Sequence, residues 1–65
     1  GTTLVVATES SNLNIRREPS TEGSIVGKAA KGEVVTLVEQ TSDEWWIIRT
    51  KDGEEGYAYA RYLRA

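Results

Sequence analysis

The chain has 65 residues with ten acidic and eight basic side chains, a net charge of -2, and neither His nor Cys. This length allows one domain with one modest core, so we expect residues 1–65 to form a single domain near the lower size limit for independent folding. Without Cys or His there is no disulfide framework and no nitrogen or sulfur ligand for a soft metal. The net charge offers no broad positive field, so nucleic acid is not an expected partner.

The sequence carries no targeting or membrane signal of its own. No apolar run approaches the roughly 20 residues that cross a bilayer, and no basic start precedes a hydrophobic segment. The chain begins with Gly1 and contains no Met. We therefore expect it to be a module excised from a larger protein, and its own signals do not show where that protein resides.

Short apolar runs separated by turn residues predict an all-β chain. An apolar i, i+3, i+4 pattern never persists for the ten or so residues that a helix needs. Val, Ile and Leu mark the strands, while Gly and Pro mark the breaks. In chain order, the first half predicts a strand at Leu4–Ala7, a strand at Leu13–Arg16, a loop over 17–24, a short apolar anchor at Ile25–Val26 ending at Gly27, a turn at Lys31–Gly32, and a strand at Val34–Glu39.

Period-two alternation assigns the two faces of the second strand. Leu13 and Ile15 are predicted to point inward together, and Asn14 and Arg16 to face the other way. We expect Arg16 to pair either with the carboxylate of a bound peptide or with Glu18.

The segments Trp45–Thr50 and Glu55–Tyr59 are predicted to form an antiparallel hairpin. Asp52-Gly53 between them supplies the positive φ that a tight turn requires. The two neighbouring Trp residues point to opposite faces of their strand, so they cannot both lie in the core. A single helical turn is expected at 60–62. Five to six short antiparallel strands would pair the backbone N–H and C=O groups of their edge strands by curling into a small, strongly bent barrel.

All five aromatic residues lie in the C-terminal part of the chain, at Trp45, Trp46, Tyr57, Tyr59 and Tyr62. Trp and Tyr have an apolar body with a polar end, which suits a half-exposed binding surface. The pattern therefore predicts a localised recognition face on the hairpin and the tail that follows it.

Several short motifs, in this order and spacing, resemble the bacterial SH3 domain, often called SH3b. The resemblance runs from Leu13 to Leu63. Its motifs are Leu13-Asn14-Ile15-Arg16, Pro19-Ser20, Val26-Gly27, Lys31-Gly32, Trp45, Asp52-Gly53, Gly56-Tyr57 and Tyr62-Leu63. It implies an SH3-like barrel in which Trp45 is a groove ring, Trp46 is a side ring, and Ile48, Ala58 and Leu63 belong to the core.

The C-terminal half also resembles eukaryotic SH3 domains, but two of their elements are missing. Those domains have an aromatic-rich N-terminal segment and a proline just before the last helical turn, where this chain has Tyr59. Recognition of polyproline peptides is therefore not expected. The bacterial resemblance implies a non-catalytic wall-targeting module of an extracellular, cell-envelope or periplasmic protein, possessing no cofactor and acting as a monomer.

The aromatic residues yield one specific binding hypothesis. Trp45, Tyr59 and Tyr62 would lie half-exposed along a shallow groove, and Asn14 and Arg16 would supply hydrogen bonds to an extended peptide. Trp45→Ala would then weaken binding ten-fold or more and leave the fold intact. The alternative is that all five rings merely cover the ends of the barrel.

A second group of residues is acidic and lies around the two ends of the hairpin. Its carboxylates could favour a cationic ligand, although solvated turns have the same composition. The group consists of Asp43, Glu44, Asp52, Glu54 and Glu55. Spaced calcium ligands are missing, so no metal site is expected.

Catalysis is not expected of this domain. Ser20 or Ser24 would have no His or Cys as a partner, and carboxylates beside turns lack the buried cleft that hydrolytic pairs need. Two functions remain open. The domain either binds a peptidoglycan peptide or another extended peptide segment, or it packs its rings against neighbouring domains of the parent chain and binds no wall component.

Overall fold

The computed structural model describes residues 2–9 and 11–65, so Gly1 and Ser10 lie outside it. The one helical element in the described part spans three residues, and no helix there is long and apolar enough to cross a membrane. In chain order the elements are β1 (Thr3–Val6), β2 (Leu13–Arg16), β3 (Ile25–Ala29), β4 (Val34–Glu39), β5 (Trp45–Arg49), β6 (Glu55–Tyr59), a 3-10 turn (Ala60–Tyr62) and β7 (Leu63–Arg64).

All seven strands belong to one antiparallel sheet, in the order β3-β2-β6-β5-β4-β1-β7. Hairpins join β2 to β3, β4 to β5 and β5 to β6, because each of these neighbours also follows in sequence. Three strand pairings are long-range. Strand β2 pairs with β6, and β1 lies between β4 and β7, which brings the two ends of the chain together.

The sheet curls around one apolar core. Every strand contributes at least one buried side chain to the same cluster, which a flat sheet could not bring together. The cluster consists of Leu4, Val6, Leu13, Ile15, Ala29, Val35, Ile48, Ala58 and Leu63. The prediction of a small all-β, SH3-like fold is confirmed, including the inward positions of Leu13 and Ile15 and the core positions of Ile48, Ala58 and Leu63.

The turn between β5 and β6 has the predicted chemistry. Gly53 has φ of 90°, which a residue with a side chain adopts only with strain. The Thr50 amide donates to the Glu54 carbonyl over 2.8 Å, and the Gly53 amide donates to the Thr50 carbonyl over 3.0 Å. The buried Thr50 hydroxyl accepts from the Glu54 amide, so this turn satisfies its own polar groups.

Two features of the strands differ from the sequence prediction. The anchor at Ile25–Val26 does not end at Gly27 but continues as a five-residue strand, because Gly27 and Lys28 pair with β2. Residues 63 and 64, after the 3-10 turn, pair with β1 as a seventh strand. Both extensions depend on partners distant in sequence, which a local pattern does not reveal.

Candidate functional site

A cavity of about 330 Å³ opens beside the end of the β5–β6 hairpin. All five residues of the predicted groove line it, and they come from β2, β5, β6 and the 3-10 turn. We call it the aromatic cavity. Its full lining is Thr8, Glu9, Ser11, Asn12, Leu13, Asn14, Arg16, Trp45, Tyr59 and Tyr62.

Three rings form one wall of the aromatic cavity. Trp45 and Tyr59 are cross-strand partners on β5 and β6, and their rings stack with centroids 4.2 Å apart and planes 24° apart. Tyr62 meets Tyr59 edge to face, with centroids 6.2 Å apart. Both arrangements are favourable for aromatic pairs, so the rings hold one another in place and present a fixed apolar surface.

The expectation that Trp45 would be half-exposed is wrong. Only 8% of its surface is accessible, because the Tyr59 ring covers one of its faces. Tyr59 and Tyr62 are half-buried. Trp45 therefore lies beneath the half-buried tyrosine rings, and its indole also supports the fold.

The other two aromatic residues lie elsewhere. Trp46 points to the opposite face of β5, where it is half-buried and packs against the core. Its indole N–H donates to the Ser42 carbonyl over 2.9 Å. Tyr57 is half-buried on β6 and does not line the aromatic cavity.

The polar wall is built on β2. Asn14 and Arg16 are both half-buried, on the face opposite Leu13 and Ile15. Arg16 donates from Nη1 to the Gly23 carbonyl over 2.9 Å. This bond ties the loop at 17–24 to β2 and uses one guanidinium nitrogen, so others can serve a ligand.

The ion pair between Arg16 and Glu18 does not form. Within residues 2–9 and 11–65, the one direct ion pair joins Arg49 to Glu55. The Glu18 Oε1 atom instead accepts from the Ser24 amide over 3.2 Å. Glu18 therefore braces the loop internally, and the neighbouring cation stays available to the cavity.

Sequence reasoning missed part of the cavity wall, namely the polar segment just before β2. Thr8, Glu9, Ser11 and Asn12 line the cavity. Thr8 is buried, and its hydroxyl donates to the Ser11 carbonyl. The sequence did contain a signal for this wall, namely a polar loop that leads directly into β2. Binding residues are often found on such loops.

A second, separate cavity of about 570 Å³ lies on the other side of Tyr59. We call it the acid-lined cavity, and its lining is Asp43, Glu44, Trp46, Tyr59, Ala60 and Arg61. The acidic residues singled out in the sequence do not form one cluster. Glu55 pairs with Arg49 over 2.9 Å, and the Glu54 side chain lies over Gly27, whereas Asp43 and Glu44 face this cavity.

The single curled sheet of seven antiparallel strands around one core is the architecture of a small SH3-like β domain. A comparison with protein families matches residues 11–64 to the bacterial SH3 domain, and the chain belongs to that family. Its members are binding rather than catalytic domains, commonly in cell-wall-associated proteins and often in extracellular or cell-envelope ones. Neither the curated proteins nor the solved structures compared with the chain gave a match.

Proposed function

We propose that this domain is a cell-wall targeting module that holds an extended peptide, such as a peptidoglycan stem peptide, in the aromatic cavity. The observation that carries the proposal is the meeting of Trp45, Tyr59 and Tyr62 with Asn14 and Arg16 around one open cavity. Clustered aromatic surface on a small domain is typical of interaction sites.

The chemistry of the two walls suits a peptide in extended form. Apolar parts of the peptide would lie against Tyr59 and Tyr62, while Asn14 and Arg16 would hydrogen-bond to its carbonyl or carboxylate oxygens. A volume of about 330 Å³ lies at the small end of the range for ligand sites. It fits a short segment of peptide rather than a folded partner.

The attachment of such a module raises the local concentration of its parent protein at the wall. Linked domains achieve useful retention with weak individual affinities, because the second binding event becomes intramolecular. We infer that the domain acts as a monomer without a cofactor, as part of a longer extracellular, cell-envelope or periplasmic protein that provides any enzymatic activity.

The test is sedimentation of the purified domain with purified peptidoglycan, comparing Tyr59→Ala with Tyr57→Ala. Both tyrosines are half-buried on β6, but only Tyr59 lines the aromatic cavity. We expect Tyr59→Ala to weaken binding about ten-fold or more, as for an aromatic anchor worth about 1.4 kcal/mol or more. Tyr57→Ala should sediment like the wild type. Thermal melts of both variants would separate lost binding from lost folding.

Equal loss of binding in the two variants, or a wild type that does not sediment, would contradict this function.

The second candidate function is docking against a neighbouring domain of the parent chain. A pair of exposed valines favours it, because Val5 and Val34 are cross-strand partners that remain 38% and 53% accessible. Sedimentation would then be absent, and the longer parent protein would protect these valines from solvent.

A further inference from the structure

The acid-lined cavity adjoins the aromatic cavity, and Tyr59 belongs to both. We propose that the acid-lined cavity is a subsite for a basic side chain, an ammonium or guanidinium group, of the same extended peptide. This inference rests on the proposed function and names the class of peptide that the domain prefers.

The lining combines the two features that hold an organic cation. Trp46 and Tyr59 offer aromatic rings, which attract a cation electrostatically. Asp43 and Glu44 offer carboxylates. In the described part of the chain, neither carboxylate makes an ion pair or accepts a side-chain hydrogen bond. Their charge is therefore not already neutralised by the protein.

The one cation in the lining is directed to another ring. The Arg61 guanidinium carbon lies over the Tyr62 ring, 5.6 Å from its centroid, and makes no ion pair with Asp43 or Glu44. The cavity retains a net negative lining of two carboxylates against one guanidinium. An anionic ligand would meet both carboxylates directly, so a cation is the favoured occupant.

The acidic wall is held in place by its backbone. The Ser42 hydroxyl accepts from the Trp45 amide over 3.0 Å, and the Ser42 carbonyl accepts from the Trp46 indole. On the other side, the Glu44 carbonyl accepts from the Ala60 amide over 2.8 Å. The backbone that carries the two acidic residues is thus held between β5 and the 3-10 turn, while their exposed carboxylates remain free to orient toward a ligand.

A metal ion is a poorer occupant than a basic side chain. Within residues 2–9 and 11–65, no group of three or more His, Cys, Asp or Glu side chains could hold a metal. A divalent ion needs more oxygen ligands than these two carboxylates supply. A single organic cation lying across an aromatic ring needs only the ring and one or two carboxylates.

The sharing of Tyr59 sets the expected arrangement of the peptide. Its main chain would lie in the aromatic cavity, and a long side chain would cross Tyr59 with its charged end between Trp46 and the two carboxylates. Lysine-like side chains suit this path, because their apolar stems pack on rings while the charged ends remain partly in water.

The test uses two synthetic peptides, acetyl-Ala-Gln-Lys-Ala-amide and the same peptide with an Nε-acetylated lysine. Both are titrated into the 15N-labelled domain, and the dissociation constants are measured by NMR. We expect the lysine peptide to bind about five-fold or more tightly, as estimated for exposed cation–π and ion-pair contacts. This preference should shrink as salt is added. The Trp46 indole N–H signal should move with the lysine peptide only.

Matched variants assign the preference to the cavity. Asp43→Asn with Glu44→Gln should abolish it, whereas Asp52→Asn with Glu54→Gln, at the far end of the hairpin, removes equal charge and should preserve it. Equal binding of the two peptides to the wild type would overturn the inference and leave the proposed function standing. Equal effects of the two double variants on the preference for the lysine peptide would also overturn the inference. If neither peptide binds and the domain does not sediment with peptidoglycan, the proposed function fails and the subsite fails with it.

Discussion

Gly56 is the position at which the closure of the sheet is most sensitive to one added carbon. A Cβ placed there would lie 2.6 Å from the Arg16 carbonyl oxygen, 2.9 Å from Ile15 Cγ2 and 3.2 Å from Val26 Cγ2. The nearest of these atoms belongs to the backbone of β2 and cannot rotate away. Gly56→Ala must therefore separate β6 from β2, next to the Arg16–Tyr57 pair that joins the two strands.

The expected cost follows from overpacking, which destabilises by about 1–3 kcal/mol. Because the closest contact is with a backbone atom, the cost at Gly56 should be about 2–2.5 kcal/mol within that range. Alanine would regain about 0.5–1 kcal/mol of backbone entropy, so a net loss of about 1–2 kcal/mol is expected. At about 4–8 °C per kcal/mol for a domain of this size, the melting temperature should fall by roughly 4–16 °C. A domain of 65 residues has about 3–10 kcal/mol of stability in total, so the change is a large fraction.

Gly27→Ala is the matched control. The three atoms nearest to a Cβ there all belong to the Glu54 side chain, with Oε1 at 2.5 Å, Cδ at 2.7 Å and Cβ at 3.1 Å. The carboxylate of this exposed glutamate can swing into water, and its Cβ needs to move by only a few tenths of an ångström. We expect the free energy of unfolding to change by no more than about 0.5 kcal/mol, as for surface substitutions. Urea denaturation followed by tryptophan fluorescence would measure the free energy of unfolding of both variants. Equal stability of Gly56→Ala and wild type, or a larger loss at Gly27, would refute the steric reasoning.

Two further substitutions test the roles of single side chains. Because Trp45 is only 8% accessible, Trp45→Ala should cost about 3 kcal/mol or more rather than leave the fold intact, and a thermal melt that matches the wild type would contradict this packing. Arg49→Ala removes an ion pair whose side chains are 53% and 44% accessible, so it should cost less than about 1 kcal/mol. Its effect should fade in 1 M salt, and a salt-independent loss in denaturant titrations would argue against a screened surface pair.

The parts of the fold that the sequence predicts are those set by local chemistry. Asp52-Gly53 determines the hairpin turn, and the alternation of Leu13–Arg16 determines which side chains enter the core, because both signals act over a few residues. The length of β3 was underestimated because its pairing with β2 keeps Gly27 and Lys28 in the strand. Tertiary pairing thus overrides the weak strand preference of glycine.

The sequence predicts which aromatic and polar residues meet at the candidate site, but not how deeply each of them is buried. Ring positions follow from the hairpin register, so Trp45 and Tyr59 could be placed on one face. Their stacking, which buries Trp45, depends on how strongly the sheet is curled. The wall formed by Thr8, Glu9, Ser11 and Asn12 and the acid-lined cavity depend on long-range contacts between loops and the 3-10 turn, and no sequence period encodes such contacts.

Position 59 is one place where this chain departs from the eukaryotic SH3 domains that its C-terminal half resembles. Tyr59 has φ of -65° and ψ of 123°, and its φ is the value to which a proline ring is locked. The backbone therefore keeps the conformation of the proline that those domains have here, while the side chain adds a ring. That ring stacks on Trp45 at 4.2 Å and covers one face of the indole. The same ring lines both the aromatic cavity and the acid-lined cavity, so under the proposed function we expect Tyr59 to oppose polyproline binding and to favour an extended peptide with a basic side chain.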